Sequence, residues 1–408
     1  MFKTYDLKRW PNFMNYQAAG GLGSTEGLGR FSADEIERRH ALVQIKLKET
    51  GCDLLMVQCH YFPSVMAVST KAAWLTGSNG YRNCVTLILP KEGNLAAVHG
   101  GKPSSIPGWQ SPYLCGDDMM PYLKGAKRIA YADTGYMSWQ FYQYLKKQIP
   151  EVEIIDFTNE IEHMMAVKSQ EEIDAVTDAC EIQKRCWQAA PAFIRPYRLV
   201  TEIRADIQHL MLCLGMDPTL MPKILLFVRP NHRPSPEDNI QEKERDYRLT
   251  PWDYITLCFE TPGSGGYYAE RSRNFFFDEP HPAIKKHWEE VIELHQFQMS
   301  LYRTGITMGE LRNKIGQYKE ERGYKAQKDL KCCTPVDGNE LRGIGLLTVD
   351  RPQIQLDWED LPLKEGMTFC TMPSVVKNGI QMKLYEMAVM GKNEAQTLSP
   401  YPLELFVL

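Results

Sequence analysis

Apolar residues recur three and four apart through SADEIERRHALVQIKLKETG, residues 32–51. The pattern predicts a helix with Ser32 as N-cap, Glu35 three residues on and Gly51 closing it. Ahead of it, NYQAAGGLGSTEGLGR has neither a helical nor a strand period, so the first 30 residues read as an extended arm of the kind that drapes over a partner subunit. The short apolar runs DLLMVQ, CVTLILP, NLAAVHGG, KRIAYAD and VEIIDF, separated by turn signals and helical stretches, predict the strands of an α/β domain. The second half opens on a long amphipathic helix capped by Ser169 and Glu172, followed by a second helix in LVTEIRADIQHLMLCLG. Next come a strand in PKILLFV, a Pro-rich charged loop from Arg229 to Asp253, and the hairpin CFETPGSGGYYAERSRNFFF. A helix pair and two final strands, MTFCTMP and QMKLYEMAVM, complete the pattern.

A chain of 408 residues exceeds what one core usually serves, and the pattern divides it into domains at 1–160 and 161–408. With 43% hydrophobic and 24% charged residues and a formal charge of -4, it has the composition of a globular protein without a nucleic-acid footprint. The opening MFKTYDLKRW lacks the apolar core of a signal peptide, and no run approaches the ~18 apolar residues of a membrane span. The expectation is a cytoplasmic protein with neither membrane nor nucleic acid as partner. Eleven scattered cysteines without a CxxC pair are expected to be reduced and mostly buried.

The hairpin carries acids and bases that a bare hairpin does not need. Side chains alternate along a strand, so Glu270 and Ser272 share one face while Arg271 and Arg273 share the other. Cys258 reads either as a nucleophile with a lowered pKa or as a small buried hydrophobe.

The ordered segments VKSQEEIDAV, NHRP, DYITLCFE, GGYYAERSRNFFF, RGIGLLTVDRP, EGMTFCTMP and KLYEMAVM resemble the catalytic domain of the creatinase, prolidase and aminopeptidase P family. ERRHALVQIKLKETGCDLLMV and AAWLTGSNGYRNCVTLILP resemble its N-terminal domain. The resemblance implies an α+β protein, with a C-terminal pita-bread domain behind a smaller α/β creatinase-like domain. Most members are peptidases that hold two metal ions with two Asp, one His and two Glu. The matching positions here carry Cys258, Glu270, Arg342, Met372 and Tyr385, with Glu386 beside the last, and the hairpin is one residue longer than the family spacing. A hard divalent pair needs several oxygen or imidazole ligands, and a guanidinium stays protonated. Neither a metal nor a cofactor is therefore expected.

Creatinase cleaves a carbon-nitrogen bond without metal, and its likeness implies His232 as general acid and base, a task suited to imidazole. The plainer reading of His232 is a turn-capping residue among prolines. The likeness also implies that Arg82 grips a substrate carboxylate in the partner's site through its planar fork, which makes a homodimer with shared active sites. Creatinase's two guanidinium-holding glutamates match Ser272 and Leu384, which argues against creatine. Glu260, Tyr268, Ser272, Arg342, Arg351 and Tyr385 are the further candidates for contact with a small molecule. Glu270 either holds a cationic nitrogen, or orients water opposite His232, or simply pairs with Arg342. Tyr268 and Tyr385 offer phenolic hydrogen bonds or an aromatic wall, or are core residues. Arg273 matches a family arginine with a structural part.

Three functions follow. The first is a metal-independent, creatinase-like hydrolase of a non-peptide carbon-nitrogen bond in a small, carboxylate-bearing nitrogenous metabolite. The second is a lyase on the same scaffold. The third is a non-catalytic pseudopeptidase that binds a partner.

Overall fold

A computed structural model describes residues 31–58, 69–77, 85–99, 116–137, 139–218, 220–232, 247–324, 340–346, 350–353, 361–377 and 380–408. The expected arm, Arg82 and most of the charged loop after His232 lie outside them. The chain divides into two compact units, Met1–Met165 and Ala166–Leu408. No helix among the described residues is long and apolar enough to cross a membrane.

In the first unit, helix α1 (Ala33–Thr50) begins where the Ser32 hydroxyl accepts from Glu35 N at 3.1 Å and ends at Gly51, whose φ of 69° suits glycine. Strands β1 (Leu54–Gln58), β2 (Val85–Pro90), β3 (Ala96–His99), β4 (Arg128–Ala132) and β5 (Glu153–Asp156) form one sheet in the order β3-β2-β1-β4-β5. The pairs β1–β4 and β4–β5 are parallel, whereas β1–β2 and β2–β3 are antiparallel. Helices α2 (Thr70–Thr76), α3 (Gly116–Leu123), α4 (Trp139–Gln148) and α5 (Thr158–Ala166) alternate with these strands. Leu54, Met56, Ile88, Ile129 and Tyr131 of the sheet pack on Met119, Leu123, Phe141 and Leu145 of the helices. At the start of β1 the Asp53 carboxylate accepts from Lys127 N at 2.8 Å, Arg128 N at 3.1 Å and Lys91 Nζ at 2.9 Å. The Lys91 ammonium and these two amides hold its carboxyl at about 2, against a burial cost that opposes them.

The second unit stacks two sheets between two helix layers. Its first helix, α6 (Gln170–Phe193), has the reciprocal cap expected from the sequence: Ser169 Oγ accepts from Glu172 N, and Glu172 accepts from Ser169 N at 2.8 Å. Together with α7 (Val200–Cys213) it covers one face of a four-stranded sheet built from β6 (Lys223–Pro230), β7 (Asp253–Pro262), β8 (Tyr268–Phe276) and the short terminal β16 (Phe406–Val407). Strand β16 pairs parallel with β8, matching Phe406 to Phe275 and Val407 to Phe276.

Helices α8 (Pro282–Leu301) and α9 (Met308–Glu321) pack on a second sheet. That sheet contains β9 (Leu341–Gly343), β10 (Asp350–Gln353), β11 (Thr368–Thr371), β14 (Glu386–Met390) and β15 (Ala395–Thr397), in the order β10-β9-β11-β14-β15. A small pair, β12 (Val376–Lys377) and β13 (Ile380–Gln381), stands apart.

The β7–β8 turn is tight because Gly265 and Gly266 take φ values of 76° and 79°, which side chains rarely adopt. A Cβ on the neighbouring Gly263 would lie 3.0 Å from Ala179, so the hairpin end sits directly against α6. From the same helix the Gln183 amide donates to the carbonyls of Phe259 at 2.9 Å and Ala269 at 2.8 Å, tying both strands to one side chain.

Candidate functional site

The register of β7 with β8 sorts the charges of the hairpin onto its two faces. Glu260 stands opposite Glu270 and Cys258 opposite Ser272, while Phe259 stands opposite Arg271 and Leu257 opposite Arg273. The alternation expected of Glu270 and Ser272 against Arg271 and Arg273 is thus in place.

On the arginine face, the buried Glu386 of β14 is ion-paired with Arg271, whose Nε lies 2.6 Å away without a hydrogen bond among the described residues, and with Arg273. Arg271 further donates to Ser399 O at 3.0 Å; Arg273 donates to Pro402 O at 2.8 Å and Tyr401 O at 2.9 Å. Both guanidinium groups also lie over the Trp187 ring, 5.0 and 4.7 Å from its centroid. Burial pulls the Arg273 pKa below its ordinary value, while Glu386 acts in the opposite direction. The Glu386 carboxylate is thus committed to two arginines.

On the other face a row of charges crosses the strands. Lys223 of β6 stands opposite Glu260 of β7, which stands opposite Glu270 of β8, and Arg342 of β9 completes the row. Lys223 Nζ lies 2.8 Å from Glu260 Oε1, and Arg342 forms an ion pair with Glu270. Glu270 and Arg342 are both buried, and the Arg342 Nε has no hydrogen-bond partner among the described residues.

The RGIG sequence explains how Arg342 is placed. A Cβ on Gly343 would fall 2.2 Å from the Arg351 carbonyl carbon, so only glycine lets β10 close against β9 at this point. Gly345 similarly makes room for Asp350, which forms a buried ion pair with Lys168 at 3.0 Å. Arg342 is matched across to Cys370 of β11, whose thiol donates to Glu270 O at 3.3 Å. Burial pushes the Cys258 thiol up to about 12 and the Cys370 thiol well above its ordinary range. Both are therefore neutral near pH 7, which disfavours Cys258 as a nucleophile or metal ligand.

The remaining candidates are distributed unevenly. Ser272 is a stitch between the sheets: its N donates to Tyr385 O at 3.2 Å, its Oγ accepts from Tyr385 N at 2.9 Å and donates to Lys383 O at 3.1 Å. The expectation of Ser272 as a substrate contact is corrected accordingly, since its hydroxyl is spent on backbone groups. Tyr385 is buried, and Lys383 Nζ lies over its ring at 5.4 Å and over Phe227 at 4.4 Å. Tyr268 is also buried, with its hydroxyl donating to Met221 O at 3.4 Å. Arg351 stands on β10, one strand beyond Arg342.

His232 requires a larger correction. Pro230 pairs with Asp253 at one end of the β6–β7 ladder and Lys223 pairs with Glu260 at the other, seven residues away. That is about 23 Å at ~3.3 Å per residue. His232 lies beyond Pro230, exposed, with its ring edge-on to Trp252 at 6.3 Å. It therefore sits at the opposite end of the sheet from Glu270, and the two do not form a catalytic pair within one chain.

The five residues that the resemblance matches to the family's metal ligands do not have the chemistry of a dinuclear centre. Cys258 and Met372 are soft or neutral, Tyr385 is a phenol, and Arg342 places a fixed positive charge against the single carboxylate, Glu270. Among the described residues no group of three or more His, Cys, Asp or Glu can hold a metal ion. The residues missed by sequence reasoning are Lys223, Lys383 and Cys370, none of which carries a spacing signal.

Two family models match the chain: metallopeptidase family M24 over residues 174–392 and the creatinase/prolidase N-terminal domain over residues 39–167. The chain is 21% identical over 397 residues to the probable dipeptidase PepE of Mycobacterium tuberculosis, covering 94% of this chain and 99% of that one. It is 22% identical over 415 residues to the ectoine hydrolase of Halomonas elongata, covering 92% and 98%. The solved Xaa-Pro dipeptidase of Bacillus anthracis superposes with a TM-score of 0.72 at 17% identity, covering 91% of this chain and all of that one. The α+β pita-bread architecture with a creatinase-like N-terminal domain is therefore the fold of this protein. Since the M24 model spans more than half of its length, the chain belongs to the M24 family of hydrolases.

Proposed function

We propose that the protein is a metal-independent hydrolase that cleaves a non-peptide carbon-nitrogen bond in a small, carboxylate-bearing nitrogenous metabolite. The observation that carries this reading is the buried Glu270–Arg342 pair, at positions that the resemblance matches to the family's metal ligands. Hydrolysis needs a base for water and a positive charge for the atom that becomes electron-rich; a carboxylate and a guanidinium supply both without a metal. Water adds to the carbon as Glu270 takes its proton, and Arg342 holds the charge gathered on the oxygen or nitrogen bound to that carbon. The carbon-nitrogen bond then breaks, and the proton returns from Glu270 to the departing nitrogen. Acid–base work falls to Glu270 because His232 stands at the far end of the sheet. Ectoine hydrolase, among the relatives, supports a small-molecule substrate.

One observation favours a second reading, a binding module without turnover: Glu270 is already engaged by Arg342. The deciding experiment combines elemental analysis of the purified protein with incubation in heavy-oxygen water against carboxylated amidines (ectoine included), ureas, betaines and cyclic imino acids. The expected result is no stoichiometric metal, one heavy oxygen in the product, and a fall in kcat of about 100-fold or more for Glu270→Gln. Two metals per chain would return a peptidase, product without heavy oxygen a lyase, and binding without product the module.

A further inference from the structure

The charge row contains one member unlike the rest. Glu260 is buried, its side chain only 6% exposed, yet its ion-pair partner among the described residues is Lys223, whose side chain is 54% exposed. Its other neighbour in the row, Glu270, is a second carboxylate held by Arg342. Like charges directly opposite on adjacent strands destabilise a sheet unless cations offset them. Arg342 is locked in place by burial and by the close approach of β10 to Gly343. Lys223 has no such restraint: it is the first residue of β6, and its long stem reaches the carboxylate from the solvent side. An exposed ammonium loses little on returning to water, whereas a buried carboxylate loses much when left without a cation.

We propose that Lys223 is a resident substitute for the ligand's cationic nitrogen. Its ammonium occupies Glu260 until a protonated amine, amidine or guanidine enters and takes its place, one cation exchanging for another. The Nε of the buried Arg342, without a hydrogen-bond partner among the described residues, supplies a second, opposite requirement, an acceptor oxygen on the same ligand. The ligand class is accordingly a small zwitterion, with its positive nitrogen at Glu260 and its carboxylate or carbonyl toward Arg342. This rests on the reading of this face as a small-molecule site and adds the direction in which the ligand lies.

The test uses the full chain and two probes of one shape, acetamidinium and neutral acetamide, with affinities measured by calorimetry. Removing the competitor in Lys223→Met is expected to tighten acetamidinium binding about 10-fold, because affinity is reduced by the fraction of time the site is occupied. Lys223→Arg, which keeps a competing cation, is expected to behave like the wild type. Glu260→Gln is expected to abolish the preference for acetamidinium over acetamide in either background, with circular dichroism confirming the fold. Equal affinities for wild type and Lys223→Met, a preference that survives Glu260→Gln, or no binding to any variant would overturn the exchange. A chain that shows the exchange but turns over none of the candidate substrates retains this inference and loses the hydrolase reading.

Discussion

The two faces of the β7–β8 hairpin carry similar charges in opposite conditions. On one face Glu386 serves two arginines, and both arginines find further carbonyl acceptors and an indole ring. On the other, each carboxylate has a single cation among the described residues, and one of these cations is half in water. Buried charges whose counter-ions are also buried hold each other in place, whereas a buried charge paired with an exposed one can exchange that partner at little cost. The first face, saturated in charge by buried partners, is thus a structural tie, and the second is where a ligand has a charge to supply.

The largest expected effect comes from breaking the saturated face. Glu386→Gln leaves two buried guanidinium groups without a counter-charge and is expected to cost about 3–5 kcal/mol in urea unfolding; a cost below about 1 kcal/mol would mean that the tie is not what holds this face. Next, Gly343→Ala pushes a methyl against the Arg351 backbone and is expected to cost about 1–3 kcal/mol. It should also weaken any ligand that depends on Arg342, a loss visible in thermal-shift titration.

Asp53, in the other unit, is a saturated carboxylate outside any site, and it tests what saturation alone contributes. Its folded pKa of about 2 lies below the unfolded value of ~3.9. The contribution is therefore present above about pH 4 and is lost as the pH falls toward about 2. Asp53→Asn is expected to destabilise by about 1 kcal/mol at pH 7, with the gap to wild type closing in acid; a gap that stays constant down to pH 2 would refute the assignment. Smallest is the double replacement Glu270→Met with Arg342→Met, which exchanges a buried pair for apolar side chains and is expected to change stability by less than about 1 kcal/mol. If it instead costs as much as Glu386→Gln, the two faces are alike and the contrast fails.

The hairpin, its alternation and both helix caps at Ser32 and Ser169 were legible in the sequence because each depends on spacing within a few residues. The fixed charge of Arg342 was legible too, since it does not depend on its surroundings. What could not be read was register across strands. Lys223 in PKILLFV reads as an ordinary strand-edge lysine, and only the ladder to Glu260 gives it a partner. The same ladder moved His232 away from Glu270: proximity to the hairpin in sequence said nothing about which end of the strand it occupies. Ser272 fails for a related reason, because an inward-facing hydroxyl can be consumed by a neighbouring sheet that lies more than 100 residues further along the chain.

The tie between the hairpin and the final segment also sets an order of events during synthesis. Arg271 and Arg273 depend on Glu386 and on carbonyls at Ser399, Tyr401 and Pro402, and β8 is flanked by a strand ending at Val407. While the ribosome is still adding residues beyond 277, the hairpin has two guanidinium groups without counter-ions and an uncovered edge. At ~5–20 residues per second this interval lasts roughly 6–26 s. For that time the nascent second unit exposes an unpaired strand edge, and its packing waits until Phe406 and Val407 have been made.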